Sequence, residues 1–229
     1  MQKGITEVCT LRALALHAVC KQQATLGAAL FQDVLSVLPL GSHRVSATAF
    51  IDVSAAADGT RTAEVGTITR TQDRGGWTSE AWRLRGERHR EDGPAWRKWN
   101  LEGRLVAEAW QVRGQLHRED GPALQRDLEG RLDWERWYVH GQLHRERGSA
   151  SRERTAQGRL VEEQWYIRGC RHREDSPAWR RWDSEGRLVM EEWWVWGVRH
   201  REDGPAVRRW DNGRLLTTER WVRGIQIEG

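Results

Sequence analysis

The chain has 229 residues, 37 Lys and Arg against 33 Asp and Glu, and a formal net charge of +4 at pH 7. The signs are interleaved, as in Arg88-His89-Arg90-Glu91-Asp92, so the surplus describes a solvated ion-pair surface rather than a phosphate-binding stripe. No apolar run approaches the roughly 18 residues of a transmembrane helix, and Cys9, Cys20 and Cys170 supply neither a disulfide framework nor a CxxC metal knuckle.

Residues 5–21 place Val8, Leu11, Leu14, Ala15 and Ala18 at three- and four-residue steps, which predicts a helix. Leu26, Leu30, Phe31, Val34, Leu35 and Leu38 predict a second, with Thr25 as N-cap and Pro39 and Gly41 at its end. Residues 1–41 are therefore expected to be a helical element. Its likeness to a signal peptide is broken by Arg12 and His17 and lacks a cleavage site, so an intracellular protein is expected. Val45–Val53 and Ala63–Thr71 are rich in β-formers and flank the turn signal Ala57-Asp58-Gly59. Residues 42–76 are read as an irregular β-hairpin that leads into the remainder.

From residue 77 the composition changes. All 15 tryptophans lie between Trp77 and Trp221, and arginine dominates the cations. The phrase His-Arg-Glu-Asp-Gly-Pro-Ala is intact at His89–Ala95, His117–Ala123 and His200–Ala206. It is altered at His144–Ala150, with Arg147 and Ser149, and at His172–Ala178, with Ser176. The period of 27 to 28 residues identifies a repeat architecture. Five copies start near Gly86, Gly114, Gly141, Gly169 and Gly197 and occupy 77–229. Each is expected to be one β-hairpin: a short strand such as Ala95–Trp99, a turn such as Asn100–Gly103, and a long strand such as Arg104–Arg113. The long strand carries a tryptophan column, Trp82, Trp110, Trp137, Trp165 and Trp193, displaced by one place to Trp221 at the end. Two strands per copy advance a sheet by roughly 10 Å.

The units Gly-x-x-His-Arg-Glu-Asp-Gly-Pro-Ala…Gly…Trp-x-x-x-Gly resemble MORN repeats. More narrowly, they are similar to the variant abundant in large DNA viruses, the marseillevirus-like group above all. The resemblance covers about residues 77–229. It implies a mainly β fold: an elongated single-layer antiparallel β-hairpin array, here with a small N-terminal helical cap. It also implies protein contacts without catalysis, in the host cytoplasm or the virion. Some viral relatives carry an F-box-like N-terminus, which leaves a substrate-recruiting adaptor, docking through residues 5–40, as an alternative.

Each chemistry-bearing column has a structural reading. Neighbouring equivalent histidines would stand roughly 10 Å apart, too far for one ion, so no metal site is expected. The Arg-Glu-Asp that follows recurs in register without a unique nucleophile, so ion-paired turn structure is expected, with no catalytic residue and no cofactor. Trp interleaved with Arg is the chemistry of single-strand stacking, which keeps nucleic acid as a further alternative. Core packing under arginine stems is the stronger reading, and it makes a nucleic-acid partner the weaker one. The short strand is less uniform: Trp96 and Trp99, then Leu124 and Asp127, then Ser151 and Arg154, then Trp179 and Trp182. The interruption in copies two and three makes these eight residues the candidate interaction surface for other proteins. Ile225 and Ile227 lie on an expected open edge, the candidate contact for a second copy or a partner strand.

Overall fold

Alternating β-branched and polar residues give His43–Ala55 and Arg61–Gln72 the period of half-buried strands. In the computed structural model, which describes residues 38–40, 43–55, 61–128 and 131–227, they pair from Arg44↔Gln72 to Ala55↔Arg61 without a register shift. The expected irregular hairpin is thus a regular one. The helices expected over 5–21 and 26–38 fall outside the described residues, except for Leu38. That residue forms a short strand with Pro39 and Leu40, paired to His43–Val45.

The sheet continues without interruption into the repeats. Arg61–Gln72 pairs with Thr78–Leu84, which pairs with Trp96–Trp99. Short and long strands then alternate in chain order, every neighbour antiparallel, as far as Val207–Asp211 and Arg214–Val222. The protein is mainly β, a β-hairpin repeat array, and no helix occurs among the described residues.

Each copy holds two hairpins, not the single one expected. The long strand Leu105–Ala109 ends at Trp110, and the chain resumes as Gln111–Val112, paired with Gln115–Leu116 in a separate arm. The same break falls at Trp137, Trp165 and Trp193, before the arms Tyr138–Leu143, Tyr166–Arg171 and Trp194–Arg199. The tryptophan backbone is the pivot. Trp110 N–H donates to the Ala123 carbonyl at 2.7 Å, and the Trp110 carbonyl accepts the His117 N–H at 3.0 Å. Successive arms bond to one another in turn: Gly114 N–H to Arg88 O, Gly141 N–H to Leu116 O, Gly169 N–H to Leu143 O. The arms therefore run as a second ribbon alongside the main sheet.

Local sequence explains the turns. Each arm turn has positive φ at both central residues, as in His140 (48°) and Gly141 (75°), the primed geometry that matches strand twist in a two-residue loop. A register shift recurs in each short strand immediately before Trp99, Asp127, Arg154, Trp182 and Trp210. Each is a β-bulge on the long-strand side, which bends the pair and raises its twist.

The phrase closes each copy. Its alanine is completely buried in all five, at Ala95, Ala123, Ala150, Ala178 and Ala206. In the intact copies the arginine folds back over the glycine: a Cβ added at Gly121 would lie 2.5 Å from Arg118 Cζ. That fold brings Arg90, Arg118 and Arg201 Nε to Asp92, Asp120 and Asp203 at 2.8, 2.8 and 2.7 Å. In copy four Ser176 supplies such a Cβ, and Arg173 keeps the bond to the Pro177 carbonyl, at 3.4 Å, that Arg118 and Arg201 also make to Pro122 and Pro205.

Candidate interaction surface

Two rows of side chains cross the sheet in register. The first is Glu80, Arg97, Glu108, Gln125, Glu135, Arg152, Glu163, Arg180, Glu191 and Arg208, each opposite the next. Acid and base alternate except at Gln125. Arg152 meets Glu135 at 3.2 Å, while Arg180 bridges Glu163 at 3.5 Å and Glu191 at 3.2 Å. Opposite charges placed directly across antiparallel strands stabilise the pair. Burial pushes the Glu163 carboxyl above its usual range despite the attraction of Arg180.

The pivot tryptophans flank this row. The phrase arginine stacks over each ring: Arg90 on Trp82, Arg118 on Trp110, Arg145 on Trp137, Arg173 on Trp165 and Arg201 on Trp193, with 3.8 to 4.1 Å to the centroid. A cation over an indole face is held by the ring quadrupole. Trp193 also carries Arg208 of the charged row at 5.1 Å. The expected tryptophan core is therefore a half-buried stack, and only Trp193 is buried.

The second row faces the arms. Trp96, Leu124, Ser151, Trp179 and Val207 begin the short strands, and Arg88, Leu116, Leu143, Arg171 and Arg199 hold one register position on the arms. Arg88 lies over Trp96, and Arg171 over Trp179 at 4.5 Å. The Arg171 guanidinium also bonds Gln164 Oε1 and the Tyr166 hydroxyl. Arg199 meets the buried Glu192 at 3.1 Å and stacks on Trp194 and Trp221. Where the arm offers leucine, the short strand offers Leu124 or Ser151. The two copies in which the short strand opens on a tryptophan, at Trp96 and Trp179, are thus copies in which the arm offers an arginine.

The remaining candidates lie at the bulges. Trp99, Asp127, Arg154 and Trp182 are all half-buried. Arg154 donates to the Gly158 carbonyl at 3.2 Å, and a buried Asp127 oxygen has no hydrogen-bond partner. The fold brings Trp96 and Trp179 to the arms and leaves Trp99 and Trp182 at the far end of the same strands. Ile225 and Ile227 form a terminal strand paired with Arg220–Val222, and they are 70% and 44% exposed. Leu215 and Leu216 on the adjoining strand are exposed as well.

Trp221 is not the displaced pivot that counting from the glycine implied. Its carbonyl accepts the Arg201 N–H as Trp194 accepts that of Arg173, and its Nε1 donates to Glu219 as Trp194 donates to Glu192. Trp221 is an arm residue, and Arg220 stands at the pivot.

Among the described residues, no group of three or more His, Cys, Asp or Glu side chains could hold a metal ion. No helix among them is long and apolar enough to cross a membrane. One feature was missed from sequence: a cleft between the phrases of copies two and three, lined in part by Arg118, Trp137, His144, Arg145 and Arg147. Its signal was Arg147 in place of the phrase aspartate. Protein-family models gave no match to the chain, and neither curated proteins nor solved structures yielded a similar one.

Proposed function

We propose that this protein is a non-enzymatic MORN-like repeat scaffold that binds other proteins along its array. The observation that carries the reading is the repeated use of each chemistry-bearing side chain in structure. Every phrase histidine accepts through Nδ1 the backbone N–H of the residue that opens the next arm turn along the chain. Every phrase arginine covers a pivot ring. The row arginines are matched with glutamates, which supports protein contacts over phosphate contacts. What remains is a long periodic surface of half-buried aromatic and paired ionic groups, and surfaces built this way are used for extended contacts. The resemblance of the phrase adds the setting, a large DNA virus in the infected cytoplasm or in its particle.

The full chain, immobilised, is to be challenged with lysate of its native host and with single-stranded DNA and RNA across a salt series. The expected result is saturable retention of defined proteins, competed by soluble chain. Nucleic-acid binding that falls steeply with salt, without protein retention, would replace the reading.

A further inference from the structure

The phrase loops of copies two and three enclose a cleft of about 560 Å³. Copy three is the one in which the phrase aspartate is replaced by a cation, Arg147. In copies one, two and five, the phrase arginine gives its Nε to that aspartate at 2.7 to 2.8 Å. Arg145 has the Ser149 carbonyl, at 3.2 Å, as its hydrogen-bond acceptor, and Glu135 attracts it without a hydrogen bond. Burial and the neighbouring Arg152 hold its guanidinium below the usual arginine range.

The ring beneath Arg145 is also unsatisfied. Trp82 and Trp110 donate their indole N–H to the glutamate two residues earlier, Glu80 at 2.9 Å and Glu108 at 3.3 Å. The corresponding glutamate of Trp137 is Glu135, which is taken by Arg152. Trp137 Nε1 is buried without an acceptor. A buried donor left without a partner costs about 1–3 kcal/mol; this one is closed to solvent, so an acceptor from outside is favoured once the Arg145 guanidinium over the ring gives way to it. The cleft therefore gathers an unsatisfied indole, an arginine deprived of its carboxylate, and a second arginine where that carboxylate stands elsewhere.

We propose that this cleft takes an aspartate or glutamate side chain of a protein partner, which replaces the carboxylate that copy three lacks. The proposal rests on the scaffold reading above and specifies its partner as an acidic segment. A planar carboxylate suits two guanidinium groups and an N–H, and charge-assisted bonds of that kind are the strong ones. Glu119 and Glu146 also line the cleft and repel an acid, so a guest carboxylate is held only where it reaches the guanidinium groups.

The test uses the full chain and a fluorescein-labelled octapeptide rich in Asp and Glu, with its Asn/Gln counterpart as control, read by anisotropy. The acidic peptide is expected to bind at least about tenfold more tightly than the amide peptide, a difference of about 1.4 kcal/mol. Arg147→Asp restores the phrase carboxylate and should weaken binding by about tenfold or more, without lowering the melting temperature. Trp137→Phe keeps the ring, removes the donor and should weaken binding severalfold. Arg104→Asp makes the same charge change at an exposed turn of copy one and should leave binding within about twofold. Equal weakening by Arg104→Asp and Arg147→Asp, or undiminished binding by Arg147→Asp, overturns the site. Displacement of the peptide by equimolar inorganic phosphate overturns the carboxylate assignment. No peptide binding, with host proteins still retained on the full chain, refutes the cleft alone; loss of both refutes the scaffold reading.

Discussion

The Nδ1 atom of His200 accepts the backbone N–H of Arg223 at 3.1 Å across 23 residues of chain. Equivalent bonds join His89 to Arg113, His117 to His140, His144 to Arg168 and His172 to Trp196. Each donor opens the next positive-φ arm turn along the chain. The histidine column is thus a row of clamps that tie each phrase to the next arm turn, and accepting through Nδ1 leaves the ring proton on Nε2. In two copies the clamp is reinforced by stacking, His117 on His140 and His172 on Trp196 at 4.2 Å.

His89→Ala is expected to destabilise the chain by about 1–3 kcal/mol, since His89 is buried and its loss leaves the Arg113 N–H without its acceptor. Urea midpoints check it, with Glu91→Ala as the exposed control. A shift no larger than the control's would mean that the clamp is incidental.

The Arg173–Trp165 stack should show as a coupling, not only as lost area. A double-mutant cycle with Arg173→Ala and Trp165→Ala is expected to give about 0.5–1 kcal/mol, the range of a partly exposed cation–π contact. The Trp165→Ala single change should fall at or below the low end of the usual cost, about 3 kcal/mol, because the ring is only half-buried. Additive single changes would reduce the stack to coincidence.

Gly141→Val should be far more damaging than Gln142→Val, by about 1–3 kcal/mol, because Gly141 sits at φ 75° and a β-branched residue is strained there. Thermal melts of both variants decide it. Equal tolerance would show that the turn can relax into another geometry.

Acid should weaken the array through its intact phrases. Hydrogen bonds from Arg90, Arg118 and Arg201 hold Asp92, Asp120 and Asp203 below the usual carboxylate range. A carboxyl depressed in the folded state adds stability above its unfolded value, and this is lost as pH falls toward the folded value. The triple Asp→Asn variant should therefore lose less melting temperature than the parent between about pH 6 and about pH 3. Parallel pH profiles would show that these pairs make no net contribution.

The last two strands offer an apolar edge, with Leu216 60% and Ile225 70% exposed. Self-association through it should appear in light scattering as a mass that rises with concentration and returns to the monomer in Leu216→Lys/Ile225→Lys. A parent chain monomeric at every concentration leaves only a heterologous strand for this edge.

The sequence by itself determined the period, the turn positions and the β character. All three are local: a glycine at positive φ, a proline that cannot continue a ladder, and alternation along a strand report on a few neighbouring residues. It also placed the bulges' consequence in view, since Trp99, Asp127, Arg154, Trp182 and Trp210 recur at one position, although nothing local marks the register shift before them. Tertiary structure decided where each long strand stops. Pivoting at Trp110 depends on Ala123, 13 residues away, accepting its N–H. Tertiary structure likewise decided that Trp96 and Trp179 lie under Arg88 and Arg171 of the arms, where a one-dimensional column shows only interrupted aromaticity. Counting from Gly224 set Trp221 beside Trp193, whereas its hydrogen bonds set it beside Trp194. Copy three's Arg147 was visible from the start as a departure from the phrase. Its meaning lay in the company it keeps, Arg145 without the phrase carboxylate and Trp137 Nε1 without an acceptor, because satisfaction of a buried donor depends on every group around it.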